Sequence, residues 1–336
     1  MYDLLIYIGR FQPFHNAHLE TVMRASKMAH KVLIITGSAY QPRTYKNPWT
    51  TRERLLTIKN ACVDAGLENV SVVANRDSVY NDQAWIQRVQ ELVEGVHISG
   101  NKIGIIGHKK DDSSSYLDMF PQWDYVPVEL IEPLDATNVR ELYFNERCNM
   151  NFIKHVVPRS VYVALEHWQS NHSYTQVIAE RRANEAYKAQ FSALPYPPIF
   201  VTADPVVFCA GHVLLVERGK MPGKGLLALP GGFVNANDSS VESAMLRELK
   251  EETNIKVPVP VLRGSIKEKR VFDHPDRSAR GRTITHAFNI VLNETSTPKV
   301  RAADDAVNVF WKPFNEINSE WLFEDHYDII QHFLGR

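Results

Sequence analysis

Cysteine is scarce in this chain. Its three residues, Cys62, Cys148 and Cys209, are odd in number, widely spaced and in no metal-ligand pattern. That excludes a disulfide framework and a cysteine zinc site, and it fits a reducing cytoplasm. No apolar run approaches the ~18 residues of a membrane span. The chain enters a β-forming run almost at Met1, leaving no room for a signal peptide. Charge of one sign is also missing, because 38 Lys and Arg stand against 39 Asp and Glu, a net charge of −1. Neither a nucleic-acid surface nor an anionic membrane is expected as a partner, which leaves small molecules and other chains.

What the chain has is apolar content, 44% over 336 residues, enough for two domains. From Met1 to about Arg147, strand-like runs (Leu4–Ile8, Val32–Thr36, Val70–Val73, Ile103–Ile106, Tyr125–Leu130) alternate with helical patterns near 17–29, 52–65, 82–94 and 137–146. This alternation predicts an α/β domain with a parallel sheet covered by helices. Residues 158–194 read as helical, and Leu194-Pro195-Tyr196-Pro197-Pro198 then breaks the pattern. Beyond it, short strands (199–203, 205–209, 212–217), a Gly-rich loop, a strong helix (239–253), further strands and a terminal helix (324–334) predict an α+β domain. The expected division is 1–193, a linker 194–198, and 199–336.

Ligands of parallel sheets bind beyond the carboxyl ends of the strands. His15, His18, Gly37-Ser38, Gly107-His108 and Thr137 each follow a predicted strand and should line one crevice. Two histidines three apart at a strand-to-helix turn share a helix face, and the N–H groups there favour an anion, so this is a phosphate site. Thr137 starts a helix that it is placed to cap, with Arg140 one turn on, suited to a phosphate tail.

The second half carries a denser pattern. Glu248, Glu251 and Glu252 fall at i, i+3 and i+4, three carboxylates on one helix face that repel unless a cation neutralises them, and their hard oxygens suit Mg2+ or Mn2+. Gly231-Gly232 provides backbone that approaches a diphosphate closely, and Arg247 can orient Glu251.

Gly9-Arg10-Phe11-Gln12-Pro13-Phe14-His15 with His18 resembles the His-x-x-His nucleotidylyltransferases, in the archaeal-type nicotinamide-mononucleotide adenylyltransferase branch. Gly37-Ser38-Ala39, Pro48-Trp49-Thr50, Glu53-Arg54, Trp85 and Thr137-x-x-Arg140 follow in the expected order. Ala17 replaces the usual Gly, and Asp135-Ala136-Thr137 replaces Ser-Gly-Thr. The resemblance implies a Rossmann-like fold. It also implies adenylyl transfer from ATP to nicotinamide mononucleotide, with Arg10, His15 and His18 on the phosphates, Arg140 on the β/γ end and Mg2+ bridging. Gly9, Phe11, Gly37, Ser38, Arg54, Gly107 and Thr137 complete the expected pocket. Trp49 and Trp85 either stack on the nicotinamide ring or pack in the core.

Gly232 with Arg247-Glu248-Leu249-x-Glu251-Glu252 resembles the Nudix box. Asp238 stands at its early acidic position with one extra residue before Arg247, which weakens a role for Asp238, and Asn254 replaces the closing Gly. Asp273–Phe288 resembles a segment of ADP-ribose-type Nudix domains, where Arg277, Arg280 and Arg282 either pair with phosphates or form an exposed basic loop. Asp304-Asp305 resembles a late acidic turn. Together the halves resemble bifunctional bacterial nicotinamide-nucleotide adenylyltransferase/ADP-ribose pyrophosphatases, implying NAD synthesis joined to ADP-ribose hydrolysis, Mg2+ or Mn2+ at both sites, and a homo-oligomer. Transfer to another phosphorylated acceptor and a non-catalytic, ligand-sensing Nudix domain are the alternatives.

Overall fold

In the computed structural model the described residues are 1–98, 100–109, 112–129, 135–145, 148–304 and 306–335. They divide into two units, Met1–Ile178 and Ala179–Arg336.

The first unit runs β1 (Tyr2–Gly9), α1 (Asn16–Met28), β2 (Ala29–Thr36), α2 (Thr51–Asp64), β3 (Val70–Ala74), α3 (Asp82–Glu94), β4 (Ile103–Gly107), β5 (Asp124–Pro127), α4 (Ala136–Tyr143), α5 (Met150–Val156), α6 (Arg159–Trp168) and the start of α7 (His172–Ala189). The strands pair in parallel in the order β3-β2-β1-β4-β5. Each strand on the β2 side and the β4 side is reached by a helical crossover, so the order reverses beside β1, and the crevice opens at its carboxyl end. Buried on both faces, β1 reads as an unbroken apolar run, with Leu4, Leu5 and Ile6 fully buried. Alternation sends Leu4, Ile6 and Ile8 into one core layer and Leu5 and Tyr7 into the other. A capping box between Thr50 and Glu53 sets the start of α2. The fifth strand ends at Pro127, short of the expected Leu130, which lies outside the described residues, as does Glu146 at the expected end of α4.

The second unit contains the rest of α7, then β6 (Phe200–Cys209), β7 (His212–Arg218), β8 (Leu227–Ala228), β9 (Gly232–Phe233), α8 (Val241–Thr253), α9 (Val259–Gly264), β10 (Ile266–Phe272), β11 (Thr283–Leu292), β12 (Ala306–Pro313) and α10 (His326–Phe333). Its mixed sheet has the order β10-β11-β6-β7-β12, with β8 on β7 and β9 on β6. The two strands expected at 199–203 and 205–209 are one, β6, which continues through Pro205. Proline is tolerated there because it falls between the β9 pairing at Thr202–Ala203 and the β7 pairing at Phe208–Cys209. The helical stretch expected over 158–194 breaks at 169–171 into α6 and α7. The unit boundary lies inside α7, earlier than the Pro-rich segment, because Tyr187 and, in the turn after the helix, Phe191 pack on Phe200 with ring centroids 5.6 and 5.2 Å apart.

Candidate active sites

In the first unit, β1 ends in a tight turn. Phe11 adopts a left-handed backbone at φ 51°, and its ring lies so close to Gly9 that a Cβ there would sit 2.8 Å from it. Gly9 is therefore required by Phe11 packing. The turn delivers His15 to the N-cap of α1, where the His15 N–H donates to His18 Nδ1 at 3.2 Å. The two rings stack with centroids 3.5 Å apart. Burial lowers His15 to about pKa 4, and burial together with His15 lowers His18 well below the usual imidazole range. Both rings are thus neutral at pH 7, and His15 Nδ1 is buried without a partner.

Positive charge comes from three arginines. Arg54, 2% exposed, donates to the carbonyls of Arg10, Gly37 and Ser38 and so ties the β1 turn to the β2 turn. Arg140, 5% exposed, donates to Gln12 O at 2.6 Å and to Thr137 Oγ1 at 3.2 Å. Burial, with exposed Arg10 nearby, lowers both Arg54 and Arg140 to about pKa 10. With Arg10 close enough to repel both buried guanidiniums, and Nε of each of those unpartnered, the three make an electropositive cluster suited to a polyanion.

Other expected residues take different parts. Asp135, not Thr137, caps α4, accepting from Asn138 N at 2.8 Å, because Thr137 already lies in the first turn. Ser38 sits at the crevice with φ 47°, its N–H and Oγ both donating to Asp77 at 3.0 and 2.6 Å. Gly37 donates to Gly9 O at 2.9 Å. A Cβ on Gly107 would lie 3.1 Å from Leu117, and the following His108 is tied to Val128 O. Trp49 and Trp85 belong to different core layers. Trp49 packs among Tyr143, Phe144 and Trp168, whereas Trp85 packs on Tyr116 and Phe120 with the Leu4 and Ile6 layer. The sheet separates them, so they do not flank one ring. Gln12 and Asp77 were not anticipated. Gln12 brackets Trp49, accepting from its N–H at 3.1 Å and donating to its carbonyl at 3.0 Å.

In the second unit, Ser240 caps α8, and Asn254 ends it in the left-handed conformation, φ 44°. The helix presents Glu248, Glu251 and Glu252. Arg247 spans the acidic face, with Nη1 donating to Glu248 at 2.7 Å and Glu251 at 3.0 Å, while Nε and Nη2 grip Asp238. Asp238 therefore has a part that the spacing argued against. Its hydrogen bond with Arg247 lowers it to about pKa 2. Glu252 accepts from Gly231 N at 3.0 Å, and Gly232 leaves room for Glu248, whose carboxylate a Cβ would meet at 2.7 Å. Burial, then Glu248 and Asp204, raises Glu252 to about pKa 8. Burial, with Glu251 and Asp304, also raises Glu248. Asp305 lies outside the described residues.

Among the described residues no three His, Cys, Asp or Glu side chains already converge as a metal site. The donor set nevertheless fits a divalent cation, because two crowded carboxylates, both shifted up by burial and by neighbouring acids, gain from a positive charge.

Of the three arginines expected on phosphates, Arg277 is withdrawn. It is buried and paired through two hydrogen bonds, at 2.9 and 2.8 Å, with Asp325. Arg282 donates to Asp273 O. Arg280 lies over Phe233 and Phe323, 5.2 and 5.7 Å from the ring centroids, with Glu324 3.8 Å away.

Residues 6–142 match the Cytidylyltransferase-like family, and residues 200–333 match the NUDIX domain family. A solved structure described as a bifunctional NMN adenylyltransferase/ADP ribose pyrophosphatase from Francisella tularensis is 35% identical, covering 100% of this chain and 99% of its own, with a TM-score of 0.94. The chain belongs to this bifunctional family. The Francisella protein has also been solved with AMP and a Mn ion, at 34% identity, TM-score 0.92 and coverage of 100% and 99%. The nicotinamide/nicotinic acid mononucleotide adenylyltransferase of Acinetobacter baylyi is 37% identical over 55% of this chain and 96% of its own length. The ADP-ribose pyrophosphatase of Methanocaldococcus jannaschii is 31% identical over 48% of this chain and 85% of its own length. Among the described residues no helix is long and apolar enough to cross a membrane.

Proposed function

We propose that the chain makes NAD by transferring AMP from ATP to nicotinamide mononucleotide, releasing pyrophosphate, and that its second unit hydrolyses ADP-ribose to AMP and ribose 5-phosphate. The observation that carries the reading is the pairing, in one chain, of three arginines and two neutral histidines gathered on the turn after β1 with a helix of three glutamates beside a Gly-Gly turn.

In the first unit the attacking phosphate is already ionised at neutral pH, so no general base is needed. Catalysis rests on positioning two polyanions and stabilising the charge that develops on them. His15 and His18 offer ring N–H donors to the triphosphate, and Arg10, Arg54 and Arg140 supply the field. In the second unit Arg247 fixes the directions of Glu248 and Glu251, and the Gly231 N–H fixes Glu252. These glutamates would hold a bound Mg2+ or Mn2+, which would supply Lewis-acid charge to the diphosphate, and Mg2+ bound with ATP would do the same for the phosphates in the first unit. The buried, disulfide-free Cys62 and Cys209 suit a reducing cytoplasm.

The test is AMP release from ADP-ribose by the purified full-length protein with Mg2+, beside Glu252→Gln. Release by the wild type and its loss in the variant, with NAD synthesis equal in both, is expected. Absence of release from the wild type removes the hydrolase half of the reading.

A further inference from the structure

The NUDIX family match begins at residue 200, yet the hydrolase unit begins at Ala179, inside α7. Glu180, Asn184 and Tyr187 fall at i, i+4 and i+7, on one face of that helix. Three contacts fix where the face lies. Tyr187 packs on Phe200, Phe200 packs on Phe233 with centroids 5.7 Å apart, and Phe233 lies under Arg280. The face is therefore continuous with a cluster in which Phe323 lies against both Arg280 and Arg218, 5.7 and 3.9 Å from its ring centroid.

Glu180 is half-buried and accepts a hydrogen bond from the Gly223 N–H. It is close enough to Arg218 and Glu324 to interact with both, and Arg218 in turn interacts with Glu252 of the acidic helix. Burial and Glu324 push Glu180 up to about pKa 7, against Arg218 and the Gly223 N–H. Asn184 is 8% exposed, and its Oδ1 has no partner. A buried carbonyl oxygen without a donor costs about 1–3 kcal/mol unless a ligand or water supplies one.

A carboxylate with acceptor capacity beyond its one Gly223 N–H and an amide oxygen with no donor, set beside two arginines, sort the chemistry of a ligand. Phosphates go to the guanidiniums and are repelled by a carboxylate, whereas hydroxyl groups donate to Glu180 and Asn184. Resting on the hydrolase reading above, we propose that α7 is a wall of the hydrolase site and that Glu180 and Asn184 accept hydroxyl hydrogen bonds from a ribose of the diphosphate substrate. The hydrolase is then not contained in the matched NUDIX span, and selects sugar-bearing diphosphates through a helix outside it.

The experiment compares full-length wild type with Glu180→Ala, Glu180→Gln and Asn184→Ala. It measures KM for ADP-ribose and the competitive inhibition constants of ribose 5-phosphate and AMP, with NAD synthesis as a control for folding. Loss of one hydrogen bond to a charged acceptor corresponds to about tenfold in affinity or more. The expected result is that KM rises about tenfold in Glu180→Ala and less in Glu180→Gln, which keeps an acceptor. A matching rise for ribose 5-phosphate assigns the terminal ribose, and a rise for AMP assigns the adenosine ribose. Unchanged KM and inhibition constants, or a fall in kcat alone, overturns the proposal while leaving the hydrolase reading standing. If the wild type releases no AMP, that reading fails. The proposal is then decided by the dissociation constant of ADP-ribose, about tenfold weaker in Glu180→Ala or equal to wild type.

Discussion

Asp238 grips Arg247 through both carboxylate oxygens, Nε to Oδ1 at 3.0 Å and Nη2 to Oδ2 at 2.8 Å. The same guanidinium holds Glu248 and Glu251, so the loop before α8 sets the geometry of the acidic face from behind. Asp238→Ala frees Arg247 to move onto its remaining glutamates. ADP-ribose hydrolysis is expected to fall about tenfold to a hundredfold, the usual effect of losing a residue that orients metal ligands. Steady-state kinetics at saturating Mg2+, with NAD synthesis unchanged, checks this.

The pairing also shows what the sequence did and did not disclose. Strand and helix order was legible because period 2 and period 3.6 patterns are local. The glutamates and the His pair were legible because their spacing on one helix is itself the geometry. Asp238 was discounted because an extra loop residue changes spacing along the chain without changing reach through space. Asp77 and Gln12 act on Ser38 and Trp49 across the fold, and no local pattern marks them. The separation of Trp49 from Trp85 depends on which sheet face each helix covers, a consequence of strand order that a run of residues does not state.

His15 gives a pH prediction. Its folded pKa of about 4 lies below the 6.5 of an unfolded histidine. Between those values the unfolded chain binds more protons, so stability falls as pH falls through that window and is fully present above it. From pH 7 to pH 5 the loss attributable to His15 is about 2 kcal/mol. Urea unfolding at both pH values should show a smaller loss in His15→Gln. Equal losses in the two proteins would assign the acid sensitivity elsewhere.

Arg54 holds three backbone carbonyls on two turns. Arg54→Met leaves the carbonyls of Arg10, Gly37 and Ser38 without it, at a cost of about 3 kcal/mol or more. Arg54→Lys recovers only part, since an ammonium lacks the planar fork that spans two turns. NAD synthesis is expected to fall with stability in both variants, while ADP-ribose hydrolysis at a temperature below both melting points stays at the wild-type level.

Neighbouring glycines separate space from backbone strain. Gly232 has no left-handed backbone, and a Cβ there would lie 2.7 Å from Oε1 of Glu248, the far end of a flexible side chain. Gly232→Ala should therefore displace Glu248 at a stability cost of about 1 kcal/mol or less, with hydrolysis falling about tenfold or more. Gly231 differs on both counts. Its φ is 148°, and a Cβ would lie 2.3 Å from Oδ1 of buried Asp204 and 2.7 Å from the Ala203 carbonyl, which is backbone and cannot turn away. Gly231→Ala is expected to lower the unfolding midpoint of the second unit markedly. Thermal melts of the two variants, read beside hydrolysis rates, test the distinction: equal destabilisation by both would mean that Glu248 is as rigidly held as the backbone beneath Gly231.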